Sequence, residues 1–185
     1  MLEIRMHGRG GQGAVVALEM MAITYFRQGQ YVQVFPEFGA ERRGAPVAAY
    51  MRIDSRPVRL RCKIYQPDCI IVLDPVLLNS VDITVGLKKN GWILINSDKS
   101  SNDLNLGKHF NIATVNATAI ALKYGLGSRT NPIVNTTMLG AFCSLPLNLD
   151  ISVLKNVIKK KIAIKTNNNL IAADEAYKNV KYYNI

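Results

Sequence analysis

Eight residues near the start of the chain, Met6-His7-Gly8-Arg9-Gly10-Gly11-Gln12-Gly13, leave it few ways to fold. They follow a short apolar stretch at residues 2–6 and precede an apolar run at residues 14–26 that is broken by Glu19 and Thr24. Strand, glycine turn and helix in that order form the setting in which a backbone loop holds phosphate. Glycine permits positive φ and close approach of the main chain, and the free N–H groups of a helix start point at an anion. Gly8, Gly10 and Gly13 satisfy the spacing G-x-G-x-x-G, while Gly11 and Gln12 are additions that the usual dinucleotide fingerprint does not ask for.

The remaining strands and helices alternate. Apolar strand patterns cover residues 31–35, 47–53, 69–73, 92–96 and 110–115, and helical patterns cover residues 12–29, 117–124, 136–145, 151–161 and 170–183. This predicts one α/β domain over residues 1–185. Its sheet is Rossmann-like, mostly parallel and sandwiched by helices, with an inserted antiparallel hairpin near residues 47–63. In that hairpin Val58, Leu60 and Cys62 alternate with Arg59, Arg61 and Lys63, so one strand face is expected to be buried and the other basic. The first helix is apolar on nearly every side, which asks for cover beyond its own sheet and hints at a subunit interface.

Composition narrows the chemistry. Lys plus Arg number 23 against 13 Asp plus Glu, a net charge of +10, so an anionic partner is expected: nucleic acid, a phosphorylated cofactor or an acidic protein surface. Three cysteines without a C-x-x-C pair, and two histidines, cannot by themselves build a zinc site or a four-cysteine iron–sulfur cluster. The sparse, odd cysteine count suits a reducing cytoplasm. The chain opens on a strand, without a signal-peptide pattern, and its apolar run is too short to span a bilayer, so no membrane role is expected.

Two further groups belong at the same sheet edge as the glycine turn. Glu41-Arg42-Arg43-Gly44 lies between Pro36 and Pro46, after the second strand, where forked guanidinium donors suit phosphate or carboxylate. Asn135 has the character of an N-cap for the helix that begins at Thr136. An NAD site would close the second strand with an acid for the ribose hydroxyls; here that strand is expected to end at Phe35-Pro36, with Glu37 slightly late and Arg42-Arg43 beyond, which weakens an NAD reading and leaves a phosphorylated adenosine open. Arg52, Arg56, Arg59, Arg61 and Lys63 form either an anion-binding face, a docking surface or a solvated hairpin. Lys155, Lys159, Lys160, Lys161 and Lys165 read as a solvated helix face, with no aromatic residues interleaved to stack on bases. No Ser/His/Asp grouping, metal-ligand cluster or thiamine-type G-D-G motif is present, and His7 reads as packed at a strand end. Two readings compete at this level: a stand-alone NADP-binding reductase and a basic nucleic-acid-binding module.

The blocks His7-Gly8-Arg9-Gly10-Gly11-Gln12-Gly13-Ala14, residues 35–47 (F-P-E-F-G-A-E-R-R-G-A-P-V) and residues 135–142 (N-T-T-M-L-G-A-F), with residues 71–75 (I-V-L-D-P) between them, resemble the gamma subunit of pyruvate:ferredoxin oxidoreductase. That places the chain beside the 2-oxoacid:ferredoxin oxidoreductase family over nearly its whole length, and the E-R-R-G-A-P-V form is similar to the pyruvate and branched-chain members. The resemblance implies conversion of a 2-oxoacid, pyruvate for preference, and coenzyme A to acyl-CoA and carbon dioxide, with electrons passing to ferredoxin. It implies alpha, beta and delta partner subunits, with thiamine diphosphate and its magnesium between alpha and beta and iron–sulfur clusters on beta and delta. Nucleic acid is then not an expected partner. Carried over, Gly10, Gly11, Gln12 and Gly13 line a phosphate-facing loop, Arg42 and Arg43 face coenzyme A or the alpha subunit, and Asn135 and Thr136 belong to a third loop of that edge. No catalytic residue and no metal ligand is expected on this chain.

Overall fold

The computed structural model describes residues 1–37, 44–104, 106, 107 and 109–183. Seven strands form one mixed sheet in the order β2-β3-β1-β4-β5-β6-β9. Four of them, β1 (Leu2–Arg9), β4 (Cys69–Val72), β5 (Trp92–Asn96) and β6 (Asn111–Val115), run parallel at the centre. They read as continuous runs such as Cys69-Ile70-Ile71-Val72 because both faces are covered. On one side, β3 (Pro46–Asp54) pairs antiparallel with β1, placing Ile4 opposite Met51, and β2 (Tyr31–Glu37) pairs antiparallel with β3 at the sheet edge. On the other side the short β9 (Lys181–Tyr183) closes antiparallel on β6.

Several sequence expectations need correcting here. The α/β architecture stands, and so does the antiparallel hairpin, but its strands are β2 and β3, one strand earlier than residues 47–63. Residues 58–63 join no ladder, and Leu60 and Cys62 are exposed, so the alternating pattern buries no face in this chain. Pro36 lies inside β2, which an edge strand tolerates because its missing N–H interrupts no inner ladder. The first strand runs on through His7, Gly8 and Arg9, since pairing with β3 on one side and β4 on the other outweighs the glycine. The final helical pattern stops at Lys178, and the chain then turns into β9.

Helices fill one face of the sheet. The first, α1 (Ala14–Arg27), packs on β1, β2 and β3 and beneath α4 (Asn135–Phe142) and α5 (Ile151–Lys161). Its second cover therefore comes from the chain itself, leaving Val15, Val16 and Phe26 as its exposed apolar residues. Helix α6 (Thr166–Lys178) presses against α4 so closely that a Cβ at Gly140 would stand 2.1 Å from the Ala173 carbonyl oxygen. The short α2 (Ser101–Leu104) and α3 (Ala117–Lys123) flank β6 in sequence, and Gly127–Ser128 and Asn131–Pro132 (β7 and β8) form a separate small ribbon.

The opposite face divides in two. Over β4 and β5, Ile70, Val72, Ile93 and Ile95 pack with Ile83 and Leu87 from irregular chain. Over β1, β3 and β2 it is polar: Arg52, only 1% exposed, bonds Glu3 at 2.9 Å and Gln33 at 3.2 Å, and lies over the Phe35 ring at 5.4 Å. Tyr50 donates to Glu37 at 2.5 Å, and Arg5 caps the Ile83 and Val85 carbonyls at 2.8 and 2.7 Å. Arg52 is thus paired with Glu3, whereas Arg5 is held by carbonyls alone and leaves its Nε without a partner among the described residues.

Candidate functional site

The glycine turn joins β1 to α1 at the carboxyl edge of the parallel strands. Gly11 and Gly13 adopt φ of 93° and 75°, left-handed values that L side chains rarely take. Helix α1 starts after Gly13 without a side-chain cap and without an acid in its first turn, so its leading N–H groups stay open to an anion. The four residues 10–13 play different parts. Gly10 donates to the Ala45 carbonyl (2.9 Å) and accepts from Gly44 (3.2 Å), prolonging the β1–β3 contact past the strand ends. Gln12 donates its amide to Arg9 (3.0 Å), closing a tight turn. The amides of Gly11 and Gly13 have no acceptor among the described residues, and a Cβ at Gly11 would meet nothing within 4 Å.

Gln12 turns its side chain inward and is 8% exposed. Its Oε1 accepts from the Arg9 amide at 2.7 Å and its Nε2 donates to Asp74 Oδ2 at 2.6 Å. Asp74, buried at the end of β4, also receives Arg9 Nε at 2.5 Å and caps the short 3-10 turn Pro75–Asn79 through Val76 N at 3.0 Å. The carboxylate thus pins the loop from beneath while Arg9 balances its charge. Asp74 is the residue that sequence reasoning underused: it stands in the I-V-L-D-P block of the resemblance, and nothing local said that its acid reaches across to the first loop.

Asn135 completes the group. It is the first residue of α4 and not its N-cap, a place that Val134 takes without a side-chain cap; it is 7% exposed, its Oδ1 accepts from the Thr136 amide at 2.8 Å, and its Nδ2 faces the loop, 2.8 Å from where a Cβ on Gly13 would stand. That Nδ2 has no acceptor among the described residues. Thr136, by contrast, turns away: it is fully buried and donates its hydroxyl to Asn169 of α6 at 2.6 Å, bracing the helix pair. Arg42 and Arg43 lie outside the described residues. Gly44, the next residue in sequence, sits against Gly10 at the same edge.

His7 lies on the polar face of the sheet beneath this turn, 8% exposed, and its Nε2 has no partner among the described residues. Burial, with the neighbouring Arg5 charge, pushes its pKa down to about 4 against the weaker pull of Glu37. The imidazole is therefore neutral at physiological pH. Beyond Asp74 a groove of about 1170 Å³ opens over the ends of β4 and β5, walled by Val76, Val81, Asn96, Ser97, Asn116 and Thr118 among others. Among the described residues no group of three His, Cys, Asp or Glu could hold a metal ion, and no helix is long and apolar enough to cross a membrane.

Several known proteins are similar to this chain over almost their full length. The family model described as pyruvate ferredoxin/flavodoxin oxidoreductase matches residues 3–179. The common subunit gamma of the pyruvate/ketoisovalerate oxidoreductases of Thermococcus kodakarensis is 43% identical over 189 residues, covering all of both chains. The pyruvate synthase subunit PorC of Methanocaldococcus jannaschii is 48% identical over 181 residues, 96% of each chain. The crystal structure of the pyruvate oxidoreductase subunit PORC of Thermotoga maritima superimposes with a TM-score of 0.82 at 35% identity, covering 98% of this chain and 97% of that one.

Proposed function

The chain belongs to the pyruvate ferredoxin/flavodoxin oxidoreductase family, as a gamma subunit of the 2-oxoacid:ferredoxin oxidoreductases, and from that premise we propose that it supplies the coenzyme A contacts of its complex. The complex would assemble with alpha, beta and delta chains, take pyruvate as its 2-oxoacid, and carry its thiamine diphosphate and iron–sulfur clusters on those partners. This chain contributes no catalytic residue. Its part is to bind and orient the phosphorylated end of the coenzyme and to close the assembly around it.

One observation carries this reading: three donors without an acceptor among the described residues, the amides of Gly11 and Gly13 and Asn135 Nδ2, stand at the uncapped start of α1. Phosphate oxygens satisfy such donors, and the helix dipole favours their charge. Gln12 serves from below, through Asp74, by holding the turn open, and Thr136 serves by fixing α4. Arg42 and Arg43 supply the counter-charge in this proposal, since they precede Gly44 in sequence and Gly44 bonds Gly10. A ribose-binding acid is not needed, because the ligand is held by its phosphates.

The test is steady-state kinetics of the assembled complex with coenzyme A as the varied substrate. Arg42→Ala and Arg43→Ala should each raise the KM for coenzyme A by about tenfold, the loss of one charge-assisted hydrogen bond, while cluster spectra stay unchanged. Unchanged coenzyme A kinetics together with unchanged subunit affinity would overturn the assignment.

A further inference from the structure

Residues 55–66 leave the end of β3 and cross the polar face of the sheet as a strap. Both ends are held. The Arg56 amide donates to Asp54 at 3.1 Å; Arg52 donates to the Lys63 carbonyl at 3.3 Å and reaches Cys62 Sγ at 3.7 Å; Lys63 pairs with Glu37. Ile64 is buried, and the Tyr65 carbonyl lies against Gly86, where a Cβ would come within 2.0 Å of it. Between these anchors residues 57–61 show neither helix nor turn nor bend.

What the strap lacks is a backbone partner. None of the amides of residues 58–63 has an acceptor among the described residues, and Arg59, Leu60, Arg61 and Cys62 are exposed. Yet this is the stretch whose basic and apolar residues alternate with the period of a strand. A row of unpaired main-chain amides on an anchored segment is a template for strand addition. Resting on the multisubunit reading above, we propose that residues 58–63 form an intermolecular strand pair with an acidic, extended segment of another subunit.

Charge selects the occupant. Arg56, Arg59 and Arg61 enter no ion pair among the described residues. Opposite charges across a strand pair stabilise it and like charges oppose it, so carboxylates on the incoming strand are favoured. A second copy of this chain, itself at +10, would set arginine against arginine.

Hydrogen–deuterium exchange on the free chain and on the assembled complex tests this. Amides of residues 58–63 should exchange freely in the free chain and at least about tenfold more slowly in the complex, as hydrogen-bonded strand amides do. The double variant Arg59→Glu/Arg61→Glu should weaken association with the partner subunits by about tenfold or more, most strongly at low salt, while its melting temperature in isolation stays unchanged. Leu60→Pro, which deletes one amide at an exposed site, should weaken association in the same direction. Equal exchange in free chain and complex, protection that coenzyme A alone produces, or protection that rises with concentration of the free chain would each overturn the proposal. If the chain assembles with no thiamine-binding or ferredoxin-like subunit at all, it is the reading of the preceding subsection that fails.

Discussion

At the scale of single residues, the site depends on how closely Gly13 and Asn135 approach. Gly13 sits at φ 75°, and a methyl there would press on Asn135 Nδ2 at 2.8 Å. Gly13→Ala should therefore cost about 1–2 kcal/mol for the left-handed backbone alone, plus a contact penalty, as read by urea unfolding. In the double variant with Asn135→Ala the contact part should vanish and the backbone part remain, so the two single costs should add to more than the double cost. His7 makes a second prediction. Its folded pKa of about 4 lies below the ordinary 6.5, so the unfolded chain binds the proton more readily. Its contribution is whole above pH 6.5 and falls away as pH drops toward 4. The full span corresponds to about 3 kcal/mol. Unfolding free energies measured between pH 7 and 4.5 should decline for the parent chain and flatten for His7→Phe. A parallel decline in both would show that this imidazole is not the group responsible.

At the scale of elements, the local signals that worked were those whose physics is local. The pattern at residues 151–161 matched the helix to the residue, and its physics is local: Asp150 caps it, accepting from the amides of Ser152 (2.6 Å) and Val153 (3.2 Å), and lysines end it where its dipole favours them. Asp150→Ala should lower stability by about 1 kcal/mol, and thermal unfolding at neutral pH will register it. Signals that depend on distant partners were misread. A three-residue strand such as β9 carries too little alternation to announce itself; it exists because Thr114 and its neighbours offer a free edge and Tyr182 meets the Trp92 ring edge-on at 6.1 Å. The opposite error fell on residues 58–63, whose alternation is strand-like although they join no ladder. In the site, the order of strand, glycine turn and helix was legible from the residues, whereas Asn135, expected as an N-cap, proved to be the first residue of α4 with its Nδ2 toward Gly13. The inward turn of Gln12 to Asp74, 62 positions away in sequence, was not legible.

At the scale of the whole molecule, the two faces of the sheet are unequally protected. One is sealed by α1, α4, α5 and α6 in a continuous apolar cluster. The other, over β4 and β5, rests on a far smaller group around Ile70, Val72, Ile83, Leu87, Ile93 and Ile95, closed by chain with little regular structure and bordered by the groove beyond Asp74. Burial of apolar area is the main stabilising term, so the lightly packed side should open first. Native-state hydrogen exchange under increasing urea separates the two. The amides of Val81, Leu87 and Lys88, bonded to Leu77, Thr84 and Pro67, should show lower opening free energies and shallower urea slopes. Those of Met138 and Cys143 in and after α4 should track global unfolding. Coenzyme A bound at the glycine turn would act through Asp74, which joins that turn to the start of the weaker cover. Its addition to the assembled complex should therefore slow exchange in residues 75–88 more than in α4. Equal slopes for both groups of amides would mean that the faces unfold as one unit, with no separable cover for the ligand to steady.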